Sequence, residues 1–435
     1  MSLDRRSFTG LLAGALGGAA LPFGRRAAVG EASPPVDPCH LPPSVAALKP
    51  MLDGVTPISD DERKARLEKA RHLMTANGIG ALLIEPGTSM SYFTGMGWGL
   101  SERPFVAVVP AAGELAFVCP GFEEARARER LGAGTDVRVW QEDESPYRVI
   151  AGILKDRGVS TGKIGVEERC RFFIMDGVRQ VVPALTLVSA DPVTAGCRMI
   201  KSAAELALMQ RASDITMAAL RTTFALFQEG MTQYDLQAIQ SAAMSRLGGQ
   251  DTWVLVGLGA ASAFPHGSVK PQQLHEGDIV LMDTGCAVQG YQADITKTTV
   301  FGKPTARQTE IWNLERKAQD AAFAAARVGA AAGTVDDAAR KVITDAGFGP
   351  GYKVPGLPHR TGHGIGMDGH EWTNFVKGNP TQLAPGMCFS DEPMIAIYGE
   401  FGIRLEDCLY ITEQGEGRKE KGEGRRDAKN EQPIA

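Results

Sequence analysis

The chain has 435 residues, a formal net charge of −5 and a pI of about 5.9. Such a length exceeds one typical hydrophobic core and predicts two folded domains, while an acidic balance with no basic stripe argues against nucleic acid as a partner. The seven cysteines, odd in number and with no Cys-x-x-Cys pair, supply neither a disulfide framework nor a zinc ribbon and read as small buried hydrophobes.

In chain order, residues 1–32 predict an export signal of the twin-arginine type. Arg5-Arg6-Ser7-Phe8 precedes a Gly/Ala-rich apolar run over 11–23, then Arg25-Arg26 and a small-residue site at Gly30-Glu31-Ala32. The run is too short to span a bilayer and no later segment is long enough, so a soluble periplasmic or extracellular protein without stable membrane insertion is expected. Residues 33–57 hold Pro34, Pro35, Pro38, Pro42, Pro43, Pro50 and Pro57, which predicts an extended leader.

Residues 58–197 predict a smaller α/β domain. Ser59-Asp60-Asp61-Glu62 has the form of a capping box, opening a helix that stops at Asn77-Gly78. Strands over 81–84, 105–109, 115–119 and 164–167 alternate with helical stretches near 123–131 and 146–156.

The pattern changes at Arg198, where the domain boundary is placed. Ser202 can cap a long helix reaching Glu229-Gly230, and a second helix follows to Leu247-Gly248-Gly249. Strands over 253–256, 279–284 and 292–301, helices over 307–328 and 335–346, and strands near 387–393 and 403–411 complete the segment. Runs of strands and runs of helices predict an α+β domain over 198–413, a curved sheet with helices on one face. Residues 414–435 are mostly Glu, Lys, Gly, Arg and Gln with almost nothing apolar until Ile434, and predict a charged disordered tail.

Within the second domain Asp283, Asp294, His363, Glu392 and Glu406 form the ligand inventory of a metal site. Asp283 and Asp294 lie in apolar stretches punctuated by Gly285 and Gly290, which places them on neighbouring strands of one hairpin. An ionised Asp buried in a sheet without a partner costs several kcal/mol, and divalent ions shared among carboxylates and an imidazole remove that cost. Glu392 and Glu406 stand on two strands joined through Tyr398-Gly399-Glu400-Phe401-Gly402, which can fold back and bring both side chains to one place. The glycines around His363 suit close approach of backbone and substrate, but their spacing and the lack of a following Lys exclude a phosphate loop. His370-Glu371 lacks the second histidine of a zincin helix.

Asp283, Asp294, Gly362-His363-Gly364-Ile365-Gly366, Glu392-Pro393 and Arg404-Leu405-Glu406-Asp407 resemble the signature of the pita-bread metallopeptidases of family M24: prolidases, aminopeptidases P and methionine aminopeptidases. The resemblance covers 198–413, and 58–197, with Tyr92-Phe93-Thr94-Gly95, resembles the creatinase-like N-terminal domain. It implies two divalent ions, Mn or Co with Zn or Fe as alternatives. By it Asp283 would chelate one ion, Asp294 and Glu406 would bridge the pair, and His363 and Glu392 would complete the second. A bridging hydroxide would attack the scissile carbonyl, and Glu392 would relay the water proton. His266, His359 and His370 would orient substrate and stabilise the oxyanion, with His359 also binding substrate. Arg404 would hold either a bridging carboxylate or a substrate carboxylate.

The separate N-terminal domain points away from a methionine aminopeptidase. His359 and the short connection from Glu392 to Glu406 resemble Xaa-Pro dipeptidases most, acting on peptides with proline second, with aminopeptidase P next and a homodimer implied. Proline lacks an N–H and has a rigid ring, so its recognition needs a dedicated pocket. A metal-free amidinohydrolase or a peptide-binding module on the same fold would have lost ligands, and none is lost here; other amides and phosphoesters stay open as substrates. The chain departs from the prolidase-like Glu-Pro-Gly-Ile-Tyr in Glu392-Pro393-Met394-Ile395-Ala396, with Tyr398 the candidate replacement for the missing tyrosine.

Overall fold

The computed structural model describes residues 41–413 and 417–419. The expected export signal, the start of the leader, Cys39 and the rest of the tail lie outside the described residues. No helix among the described residues is long and apolar enough to cross a membrane.

The leader does not run free. Pro43 starts a short helix, α1 (Pro43–Ala46), at the one helical turn that tolerates proline, and Val45 is wholly buried. Leu41, Leu48, Met51 and Val55 pack beside it on the core of the second domain. Met51 N–H donates to the Leu247 carbonyl at 2.8 Å, and Arg211 Nη1 donates to the Met51 carbonyl at 2.7 Å. Prolines limit this segment to one short helix, yet its apolar side chains pack on the second domain, so residues 41–57 are a strap and not an extended leader.

The N-terminal domain comprises α2 (Asp60–Asn77), β1 (Ile79–Ile84), α3 (Thr88–Thr94), β2 (Val106–Pro110), β3 (Ala116–Pro120), α4 (Glu124–Leu131), β4 (Asp136–Trp140), α5 (Pro146–Asp156), β5 (Gly162–Val166), α6 (Phe172–Val181), β6 (Leu185–Ser189) and α7 (Asp191–Arg198). Its sheet order is β4-β3-β2-β1-β5-β6, parallel except where β2 pairs with β1 and β3. In β1, Ala81 and Leu83 join one apolar cluster while Leu82 and Ile84 join another. Both faces are therefore covered, which is why the strand is continuously apolar. β4, α6, β6 and α7 were not expected from the sequence; β4 and β6 are short, with mixed burial. Ser59 caps α2 by accepting from Glu62 N–H at 3.1 Å, but Glu62 turns away to Arg66 and to Ser202 of the second domain.

The second domain comprises α8 (Ala203–Phe224), α9 (Gln233–Leu247), β7 (Gln250–Leu258), β8 (Ile279–Val288), β9 (Tyr291–Gln292), β10 (Ile295–Val300), α10 (Ala306–Ala325), α11 (Ala332–Asp345), β11 (Gly362–Gly364), β12 (Glu371–Phe375), β13 (Cys388–Asp391), β14 (Met394–Ile397), β15 (Phe401–Arg404), β16 (Asp407–Ile411) and β17 (Gly417–Lys419). Ser202 and Glu205 form a complete capping box on α8, which ends at Phe224, short of the expected Glu229-Gly230. The strands are antiparallel throughout, in the orders β10-β8-β7 with β9 on β8, β12-β11-β13-β16-β17, and β14-β15. This is the curved antiparallel sheet backed by helices of the pita-bread fold. β17 lies inside the tail expected to be disordered: three residues pair with β16, whose edge offers free backbone groups whatever the side chains are. None of the six described cysteines forms a disulfide, and five of them are buried.

Candidate metal centre

Asp283 stands in the middle of β8, and Asp294 in the short link before β10. A Cβ at position 285 would lie 1.9 Å from the Ala293 carbonyl oxygen, so the link folds tightly against β8 only because that residue is glycine. The long hairpin from β13 to β16 switches sheets twice, with β14 and β15 forming a separate pair. Glu392 sits at one switch and Glu406 at the other. A Cβ on Gly362 would meet the Ser390 carbonyl oxygen at 2.1 Å, which seats β11 and its His363 directly on β13.

These placements create overlapping groups whose ligand atoms all lie within 4.8 Å of one another: Asp283, Asp294 and Glu406; His363, Glu392 and Glu406; and Asp294, His363 and His370. His363 Nε2 is 3.3 Å from Glu392 Oε1 and 3.6 Å from Asp294 Oδ2. Its Nδ1 is 3.1 Å from the Gly364 carbonyl, which can only accept. The proton therefore sits on Nδ1, and Nε2 turns a lone pair toward the acids. Ser390 ties the set together: its Oγ accepts from His363 N–H at 3.0 Å and donates to Glu392 Oε1 at 3.2 Å.

Burial, reinforced by Asp283 and Glu392, pushes Asp294 well above the usual carboxylate range. Burial and the neighbouring Asp294 do the same to Glu406, and burial lifts Glu392 to about 7 against the opposing pull of Arg404. Burial, then His370, lowers His363 to about 3, which keeps the imidazole neutral. Arg404, 2% exposed, binds Asp283 and donates from Nε to Thr296 Oγ1 at 3.0 Å and from Nη1 to the Pro265 carbonyl at 3.1 Å. Thr296 passes the link on, donating to Glu406 Oε2 at 2.6 Å. One guanidinium thus faces four acids. Asp283 Oδ1 and Glu406 Oε1 are buried without a hydrogen-bond partner among the described residues. Four oxygen-donor side chains, a neutral imidazole offering Nε2 and two orphaned oxygens fit a pair of divalent cations.

The profile of metallopeptidase family M24 matches residues 207–413, and that of the creatinase/prolidase N-terminal domain matches 66–200. A probable dipeptidase PepE of Mycobacterium tuberculosis is 34% identical over 358 residues, 80% of this chain and 92% of the relative. The chain belongs to metallopeptidase family M24. A Xaa-Pro dipeptidase of Lactobacillus delbrueckii is 32% identical over 361 residues, 80% of this chain and 95% of the relative. Among solved structures, dipeptidase PepE from Mycobacterium ulcerans superposes with a TM-score of 0.78 at 31% identity, over 84% of this chain and 97% of its own.

The remaining expected residues of this metallopeptidase gather around the acids. His370 stacks at a tilt on His363 with ring centroids 4.0 Å apart. His266 is close enough for its charge to affect His359 and His370. His359 Nδ1 lies 2.7 Å from the Arg360 carbonyl, so its buried Nε2 is an acceptor. Such a nitrogen suits a substrate N–H and cannot donate to an oxyanion, which leaves that part of the expectation to the exposed His266 and His370. The three guanidinium contacts and burial of Arg404 favour holding a carboxylate over binding substrate. Tyr398 does not take the strand position of Ala396: it stacks on Phe264 beside the β14-β15 turn, with ring centroids 5.3 Å apart. Met394 and Ala396 are core residues. Sequence reasoning missed Ser390, Thr296, and the Asp336-Arg340 pair whose Arg340 holds the carbonyls of Leu357 and His359. Thr296 was detectable in principle, two residues beyond Asp294 on the same side of an extended segment.

Proposed function

We propose that this metallopeptidase is a dinuclear exopeptidase of the Xaa-Pro dipeptidase type, hydrolysing the bond before a proline. The observation that carries the reading is the meeting of two three-residue ligand groups at Glu406, with unpaired buried oxygens on Asp283 and Glu406. Asp283, Asp294 and Glu406 would hold one ion, and Asp294, His363, Glu392 and Glu406 the other, with Mn or Co as the metal. Ions held there supply Lewis acidity for a carbonyl and an acidified water at neutral pH. Glu392 is the group suited to hold and pass a proton at its carboxylate, since burial brings it near neutrality. Arg404 and Thr296 keep Asp283 and Glu406 oriented, and His359 Nε2 offers an acceptor for a substrate N–H. The name of the Lactobacillus relative supports the proline preference.

The proposal includes export by the twin-arginine route and a homodimer. Cell fractionation of an Arg5→Lys/Arg6→Lys variant and light scattering test these two parts. The activity test is hydrolysis of Ala-Pro, Ala-Pro-Ala and Met-Ala-Ser by protein stripped of metal and reloaded with Mn, Co or Zn, beside Asp294→Ala. Metal-dependent cleavage of Ala-Pro alone is the expected result. Cleavage of the Ala-Pro tripeptide would move the assignment to an aminopeptidase P, and inertness toward all three after full metal loading would refute the Xaa-Pro reading.

A further inference from the structure

The loop at residues 365–370, which carries His370 to the acids, is gripped from the other domain. Asp368 accepts from Thr88 Oγ1 at 2.7 Å, from Arg169 Nη1 at 2.9 Å and from Arg198 Nη2 at 2.6 Å, all residues of the N-terminal domain. Arg198 also pairs with Glu371, and Lys201, in the link between domains, pairs with Glu371 Oε2 at 2.9 Å. Glu371 Oε1 in turn accepts from the Asp368 N–H at 3.1 Å, closing the loop on itself. The side chains of Arg198, Lys201 and Glu371 are 12%, 2% and 5% exposed. A Cβ on Gly366 would lie 2.7 Å from both Glu371 Oε2 and Lys201 Cε, so the clasp leaves no slack on that side.

Buried ion pairs add little net stability, and their best-attested use is to select one geometry among alternatives. Here the selected geometry is that of the residue next to Glu371. His370 is exposed and meets the site through its tilted stack on His363, so the backbone of the loop decides whether that contact forms. We propose that Arg198, Thr88 and Arg169 act as positioning residues for His370, so that the N-terminal domain sets the geometry of the metal centre through Asp368 and Glu371. The catalytic half of this inference rests on the peptidase reading; the positional half does not.

The mildest test is Thr88→Val/Arg169→Ala, which removes two donors to Asp368 from partly exposed sites; Arg198→Met and Arg198→Lys complete the set. In the metal-free full-length protein with 13C-labelled histidine, the His370 ring signal is assigned by its loss in His370→Ala. It should move in Thr88→Val/Arg169→Ala and in Arg198→Met, while those of His72 and His275 stay in place. With Ala-Pro and the Mn-loaded enzyme, Arg198→Met should lower kcat about tenfold with KM within about twofold, a loss typical of slight misplacement. Arg198→Lys should recover most of it, and Arg198→Met should cost nothing further in a His370→Ala background. An unmoved His370 signal in both clamp variants, or additive losses in the double variant, would overturn the proposal. If the parent enzyme cleaves no peptide, the peptidase reading fails and the histidine spectra still decide whether the clamp positions His370.

Discussion

Replacing Glu392 by Gln should alter how the stability of the metal-free protein depends on pH. Glu392 rises from an ordinary 4.5 to about 7 because it is buried, so the folded state holds a proton that the unfolded chain releases between those values. Its contribution is complete below 4.5 and is lost as pH rises through about 7. The interval corresponds to about 3 kcal/mol, or about 4 °C in Tm for a chain of this size, borne jointly with Asp294 and Glu406, whose rises Glu392 itself reinforces. His359 and His363, lowered to about 3 chiefly by burial, act in the opposite sense between 3 and 6.5, but they are present in both proteins and cancel in the difference. Scanning calorimetry in EDTA from pH 4.5 to 8 should find the wild-type advantage over Glu392→Gln shrinking by about that amount. In saturating Mn the trend should reverse, because carboxylates bind the cation only when deprotonated. A difference that is flat or grows with pH in EDTA would refute the account of the buried acids.

Arg404→Met leaves Asp283 without its guanidinium and should cost about 3–5 kcal/mol in metal-free protein, with Arg404→Lys recovering part; thermal unfolding measures both. Gly285→Ala drives a methyl into the Ala293 carbonyl; it should cost about 1–3 kcal/mol and lower the bound metal per chain, read by elemental analysis after dialysis. Val45→Ala, at the fully buried residue of the strap, should cost about 2 kcal/mol without changing metal content, and an unchanged Tm would refute the packing of residues 41–57 on the second domain.

The five candidate acid and imidazole ligands were legible because each is a charged or polar residue in an apolar or glycine-rich setting, an anomaly that local reading detects. The helices that open on Ser59 and Ser202 were legible for a similar reason, since capping and periodicity are short-range. β4 and β6 escaped because they are short, half-buried edge strands without a continuous apolar run, and the strap escaped because its contacts, with Leu247 and Arg211, are remote in sequence. The same distance hid the Thr88, Arg169 and Arg198 grip on Asp368, where each residue alone reads as an ordinary surface group.

By itself the sequence pointed to the family signature, to a candidate ligand set and to the hairpins that carry Asp283, Asp294, Glu392 and Glu406, because these depend on residue type and on spacings of a few residues. Only the tertiary structure decided which acids converge, which tautomer His363 adopts, that Arg404 is spent on Asp283 and Thr296, and that Asp368 is held from another domain. Those outcomes depend on burial and on contacts between distant segments, which no local pattern encodes.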